Sequence, residues 1–384
     1  MLIENGLKES RWRMNIYMDN AASTCVKKSV IDKFDITAEL CGNPSSKHLK
    51  GWLANNWIES VKRQLAMQLN CDKDDCYFTM GATMSNQLCI QGFIAKHPNG
   101  MVITTNVEHN DIMMLMDNIN CFKQILCVDK NGLINLKCLK AVLDYATNEM
   151  NVPVLVAIQM ANSESGIIQP IIEIGEIISQ YSNVFLYMDA TQYIPYYPID
   201  MEAMHIDGLG MSGQKIGGIK GSGLFVVRQG FREHIKPIIY GEQGLIGGTF
   251  PTPLIASLGE AFRHINYDIS SLQHKRDVFL SYLQDIGGIL VCEYQNRLPN
   301  NIFIRFPGVN GITLMNLLSD RGIYVGTGSA CSTDSDKPSH VALAYGLSDK
   351  EALECVRFTL CDDNTYEEIE YVVKVLKGVL PLLQ

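Results

Sequence analysis

Val184-Phe185-Leu186-Tyr187-Met188-Asp189-Ala190-Thr191-Gln192 is an apolar, strand-like run that ends on a carboxylate and then turns. Gly208-Leu209-Gly210-Met211 is a shorter run of the same kind, and it leads into Ser212-Gly213-Gln214-Lys215-Ile216-Gly217-Gly218, which sets an amine among glycines. Lys215 follows Asp189 by 26 residues (215 − 189). Two strands so placed set an acid and an amine at neighbouring strand ends of one sheet. That is where open α/β folds keep their ligands.

The same alternation extends outward from this pair. Tyr77-Phe78-Thr79-Met80 reads as a strand that runs into the small-residue turn Gly81-Ala82-Thr83-Met84-Ser85-Asn86 and a helix. Met101–Thr105, Gln124–Val128 and Val154–Met160 are further strands, each closed by a polar or glycine turn. Gly223–Val227 follows Lys215 too soon for a crossover helix, so an antiparallel partner is expected there. Strands separated by helical stretches give an α/β fold with a mostly parallel, doubly wound sheet. Near residue 255 the pattern turns long and helical, which places a large domain at 15–255. A smaller α+β domain is expected from 1–14 and 256–384, with strands at Asn301–Phe306 and around Arg357 and a helix at 366–383.

Bulk properties narrow the function classes. The 384 residues carry a net charge of −9, which argues against nucleic acid or an anionic membrane as partner. The first residues lack a signal peptide's apolar core, and no apolar run is long enough to span a bilayer, so a cytoplasmic enzyme is expected. The twelve cysteines then read as thiols, most of them buried as small apolar residues. No C-x-x-C pair occurs, so no metal site is expected.

A carboxylate that keeps a pyridinium protonated and a lysine that forms a Schiff base are the minimum for pyridoxal 5'-phosphate chemistry. Gly81, Ala82 and Thr83, at the start of a helix, offer amides and a hydroxyl to a phosphate, with Ser212 able to share it. His109, just past the Met101–Thr105 strand, can stack on a cofactor face and pass protons. Arg357 in Cys355-Val356-Arg357-Phe358-Thr359 is a candidate clamp for an amino-acid carboxylate. Gly326-Thr327-Gly328-Ser329-Ala330-Cys331-Ser332-Thr333 presents one thiol among small residues, the setting of a reactive rather than a packed cysteine. An electron sink and a presented thiol together indicate sulfur chemistry.

With these motifs in this order the chain resembles the cysteine desulfurases, fold-type I pyridoxal-phosphate enzymes of the class V aminotransferase group. The resemblance runs from Tyr17-Met18-Asp19-Asn20-Ala21-Ala22 to Val356-Arg357-Phe358-Thr359-Leu360. It implies a homodimer in which Thr249 completes the neighbouring subunit's phosphate site. It implies Asn43 and Arg357 as substrate contacts, and Gly81, Ala82, Thr83, His109, Asn162, Ser163, Asp189, Gln192, Ser212, Gln214 and Lys215 around the cofactor. It also implies that Cys331, on a mobile loop of the longer-loop subgroup, takes sulfur from L-cysteine as a persulfide and passes it to an acceptor protein, for iron–sulfur cluster or thiocofactor synthesis. Lys215, Cys331 and His109 would be the catalytic residues. Four positions depart from the family pattern: Gln214 stands for a histidine, Ser163 for an asparagine, Ile246 for an arginine and Cys361 for a glycine. A selenocysteine lyase, a class V aminotransferase or a non-enzymatic persulfide carrier on the same fold are the alternatives.

Overall fold

The computed structural model describes residues 15–241, 244–293, 296–328 and 337–383. Its strands in chain order are β1 Ile16–Met18, β2 Cys76–Thr79, β3 Met101–Thr105, β4 Phe122–Leu126, β5 Val154–Gln159, β6 Val184–Asp189, β7 Gly208–Ser212, β8 Gly223–Val227, β9 Ile289–Leu290, β10 Asn301–Arg305, β11 Ile323–Val325 and β12 Cys355–Thr359. The chain divides into two compact units, a large one of Ser23–Ser163 with Ile167–Asp268 and a small one of Met1–Ala22, Glu164–Gly166 and Ile269–Gln384. The expected border at 255/256 falls inside the helix Thr252–Arg263.

The large unit is built on a seven-stranded sheet in the order β2-β8-β7-β6-β5-β3-β4. The pairs from β4 to β7 are parallel, while β8 runs antiparallel to both β7 and β2. This is the α/β sheet read from the sequence, with its antiparallel strand where the short Lys215-to-Gly223 connection puts it. β5 and β6 are buried along their whole length; strands covered on both faces are near-continuously apolar. Edge strand β4 carries exposed Lys123 and Gln124 instead, which blunts an open edge. The helix Ala82–Lys96 supplies Leu88, Cys89, Ile90 and Phe93 to a core shared with Leu155, Phe185, Tyr187 and Phe225. Ile246, where the resemblance led to the expectation of an arginine, is part of that core.

In the small unit β1 pairs in parallel with β11, and β10 lies antiparallel between β12 and β9. The helix Tyr366–Val379 is amphipathic, with Ile369, Val372, Val373 and Leu376 buried and a capping box of Thr365 and Glu368 at its start. Such a box satisfies two orphan amides at once.

The expectation that most cysteines are buried is overturned. Among the described residues Cys76, Cys89 and Cys355 are buried, whereas Cys25, Cys41, Cys127 and Cys138 are exposed. The exposed ones sit in irregular loops, after a strand or on a helix's outer side, where a small side chain has no core to enter. Cys331 lies outside the described residues.

Candidate active site

The site residues of the large unit gather at the C-terminal ends of β6 and β7. Asp189 closes β6 in register with Gly210 of β7. β7 then ends at Ser212, and the 3-10 turn Gly213–Lys215 begins there, its first amide held by the Ser222 carbonyl at 2.8 Å. The turn leaves Lys215 half-buried. Backbone geometry alone therefore brings the acid and the amine to adjacent strand ends, as expected.

Gly81 starts the helix Ala82–Lys96 with φ of +148°, a conformation that only glycine adopts readily. A side chain on Gly223, its neighbour across the β2–β8 edge, would come within 2.5 Å of the Gly81 Cα. Two glycines thus let the turn lie flat against β8. The Ala82 amide donates to Ser212 Oγ at 2.8 Å. The next two amides, of Thr83 and Met84, precede the first helical bond and have no helical partner. A helix start of this form favours an anion.

Behind the acid stands a residue to which the sequence reading gave no role. Asn86 Nδ2 donates both to Asp189 Oδ2 and to Asp111 Oδ2, each at 3.2 Å, and its Oδ1 accepts from the Tyr187 hydroxyl at 2.6 Å. The Thr191 amide donates to Asp189 Oδ1 at 3.0 Å. Burial, and then the charge of Asp111, push the Asp189 carboxyl up, against the pull of these bonds. Among the described residues no cation pairs with Asp189. A buried anion held only by neutral donors is costly, and a cation placed against it removes that cost.

His109 caps the helix Asn110–Asn118 and lies 2.8 Å from Asp111 Oδ1 through its Nδ1. Burial alone would raise the Asp111 carboxyl, but bonds from His109, Thr83 and Asn86 outweigh it and hold the group below the usual range. Asp111 thus occupies Nδ1, its backbone amide lying 3.3 Å and its carboxylate 2.8 Å from that nitrogen. Asn162 Nδ2 donates to the Val107 carbonyl at 2.9 Å and the Gln159 side-chain amide does so at 2.5 Å, so this segment is pinned two residues before His109. Ser163 is half-buried and Gln192 buried in the turn after Asp189.

Glu108 is a second residue that sequence reasoning missed, and its neighbours explain what it does. Thr105 Oγ1 donates to its Oε1 at 2.5 Å and the Gln159 backbone amide to its Oε2 at 2.8 Å. Burial pushes its carboxyl up to about 8. The folded protein thus binds a proton here that the unfolded chain gives up near 4.5. Stability is therefore expected to fall as pH rises between those values and to level off above the upper one. Glu108→Gln imitates the protonated acid, with its amide oxygen accepting from Gln159 and its amide placed against Thr105 Oγ1. Melting temperatures between about pH 6 and about pH 9 should decline less in this variant than in the parent. A variant that is less stable than the parent across the whole range would count against a neutral Glu108.

The remaining residues of the sequence reading are placed elsewhere. Asn43 is exposed, with Oδ1 accepting from its own turn's Ser45 amide at 2.9 Å. Thr249 is exposed beyond Gly248. Arg357 belongs to the small unit, where its Nη2 lies 2.7 Å from Asp19 Oδ1 and its backbone pairs with Gly326. A cleft of about 880 Å³ lined by Asp72, Asp75, Arg228, Arg232 and His234 includes Phe185 from the beginning of β6. That is the opposite end of the strand from Asp189, so this roomy cleft is not where the chemistry lies.

The large-unit residues suit pyridoxal phosphate. The uncompensated Asp189 carboxylate matches a protonated ring nitrogen. The Gly81–Met84 helix start matches a phosphate. Gln214 Oε1 is buried without a bonding partner, and turning that amide over presents donors to an anion. Among the described residues no group of three histidine, cysteine or acidic side chains could hold a metal ion.

Comparison with known proteins gives the same picture. The profile of the aminotransferase class-V family matches residues 16–372. The cysteine desulfurase IscS of Neisseria meningitidis is 34% identical, over 96% of this chain and 93% of its own. The solved structure of a NifS-like protein superposes with a TM-score of 0.87 at 29% identity, covering 96% of this chain and all of the other. The structure titled SspA in complex with cysteine superposes at 0.78 with 30% identity, covering 90% of this chain and 98% of the other.

Proposed function

The chain belongs to the cysteine desulfurases of the aminotransferase class-V family, and from that premise we propose that it takes sulfur from L-cysteine, releasing L-alanine and leaving a persulfide on Cys331. The observation that carries this reading is the buried Asp189 carboxylate, which no cation among the described residues meets, one strand away from the turn that ends in Lys215. Pyridoxal phosphate, when bound, supplies a sink for the electron pair left at a substrate carbon.

The chain's own groups do the rest. Lys215 would carry the cofactor through its aldehyde, and its freed Nζ takes the substrate Cα proton. Asp189 would hold the ring nitrogen's proton, with Asn86 and the Thr191 amide fixing the carboxylate's position. The Thr83 and Met84 amides, Ser212 and Gln214 would hold the phosphate, and Asn162, Ser163 and Gln192 line the ring's surroundings. His109 Nε2 accepts the substrate thiol proton, while Asp111 keeps its Nδ1 occupied. The Arg357 guanidinium binds the substrate carboxylate, held ready by Asp19, and Asn43 adds a polar contact.

Cys331, as thiolate, attacks the substrate sulfur. The new S–S bond forms as the C–S bond breaks, its electron pair stays with carbon, and a proton completes the methyl group of alanine. Oxidation of the two sulfurs is matched by reduction of that carbon, so the step needs no outside oxidant. The persulfide then passes to an acceptor protein.

Kinship and composition support a cytoplasmic homodimer. No described helix is long and apolar enough to cross a membrane. Leu49, Trp52 and Leu53 form an exposed apolar stripe at one end of the helix Leu49–Leu69, the kind of surface that a second subunit covers. In that dimer Thr249 completes the partner's phosphate site.

Borohydride reduction followed by peptide mapping tests the reading. The pyridoxyl group should be found on Lys215, and finding it on another lysine or on none refutes the assignment.

A further inference from the structure

We infer that Asn86 is a positioning residue for both ends of the reaction, its one side-chain amide allowing Asp189 and Asp111 to stay ionised side by side. The inference rests on the reading above, in which Asp189 serves the ring nitrogen and Asp111 serves His109. It adds that the two acids are not independent. Asn86 and Tyr187 are fully buried, and Asp111 nearly so. Nδ2 of Asn86 carries two hydrogens and lies 3.2 Å from an oxygen of each acid, so each acid receives one of them.

The amide is held in that orientation from behind. Ionised carboxylates only accept, so the nitrogen faces the acids and Oδ1 faces away from them. There it accepts from the Tyr187 hydroxyl at 2.6 Å. The mechanism gives Tyr187 no other task. Gly210 leaves room for it, since any side chain at that position would collide with the hydroxyl.

Two carboxylates that face each other in a buried place repel, and one of them tends to take a proton. Asp111 is guarded against this by the Thr83 side chain, one helical turn before Asn86, and by His109 at 2.8 Å. Asp189 has the Thr191 amide at 3.0 Å besides Asn86. Glu108, before His109, and Cys89, on the helix of Asn86, are further titratable groups near the cluster, and neither brings a positive charge. Lys215 stands one strand over from Asp189. Asp189 is therefore the acid that would yield first without Asn86. Once protonated, it has nothing with which to keep the ring nitrogen charged.

The test uses the loaded enzyme with cofactor labelled at its ring nitrogen. Nitrogen NMR should show the proton on the ring in the parent. In Asn86→Leu the resonance should move toward that of the unprotonated ring. There kcat for alanine formation should fall about tenfold or more, the effect of losing a hydrogen bond to a charged group. Adding Asp111→Asn removes the opposing charge and should return the resonance most of the way, although activity stays low because His109 has lost its partner. A packing defect would not be repaired by changing a second residue in this way. Tyr187→Phe should shift the resonance less, in the same direction, and it reads the same quantity should Asn86→Leu fail to fold. An unmoved resonance in these variants, or one that Asp111→Asn does not restore, would overturn the inference. A ring already unprotonated in the parent, or a cofactor on a lysine other than Lys215, would instead remove the reading beneath it.

Discussion

Asp189→Ala is expected to lower turnover by about a thousandfold or more, comparable to losing a preorganised charge in other active sites. The bound ring nitrogen would have no anion to keep its proton, and the electron sink depends on that proton. Gln192→Ala should cost far less, because a neutral hydrogen bond is the most it removes. Initial rates of alanine release at saturating cofactor separate the two. The asymmetry has a structural source. Asp189 is buried and held by Asn86 and the Thr191 amide, and Asp111, on the same Asn86 amide, is already engaged by His109. Small and equal effects from both substitutions would refute these roles.

The second large effect is expected at Cys331. Cys331→Ser should keep its cofactor and its affinity for L-cysteine yet form alanine more than about a thousandfold more slowly, as when a nucleophile is removed elsewhere. Mass spectrometry after a single turnover should find the extra sulfur on the Cys331 peptide of the parent enzyme. The four cysteines exposed among the described residues, Cys25, Cys41, Cys127 and Cys138, are a sharper control than buried ones would be. Each is open to reagents, so exposure alone cannot explain a persulfide confined to Cys331. Near-normal alanine formation by the serine variant would make the chain a lyase or transaminase on the same fold.

What could be read from sequence was what is encoded locally. β3 begins and ends where its apolar run does, and β8 is antiparallel because the connection before it is short. Asp189, Ser212 and Lys215 were legible because strand ends and glycine-flanked turns leave a local mark. The pairing of β1 with β11 joins residues about 300 apart in sequence, and no short-range pattern announces it. Asn86, Asp111 and Glu108 escaped for a related reason. Each looks like an ordinary helix or turn residue, and its role exists only through partners supplied by distant elements. Asn86 did leave one signal, standing one helical turn beyond Ala82 and so on the same helix face. The burial of Ile246 was hidden in the same way, since its loop composition says nothing of the core that receives it.

The approach of Gly223 to Gly81 also sets an order of events during synthesis. β2 touches the sheet only through β8, so the anion-binding turn that follows β2 has no floor until residues well over a hundred positions later have left the ribosome. Non-local pairings of this kind are slow to form. The nascent chain can fold β3 through β6 around their helices and still be unable to hold a phosphate. Cofactor capture is thus expected only after β8 has been made and paired.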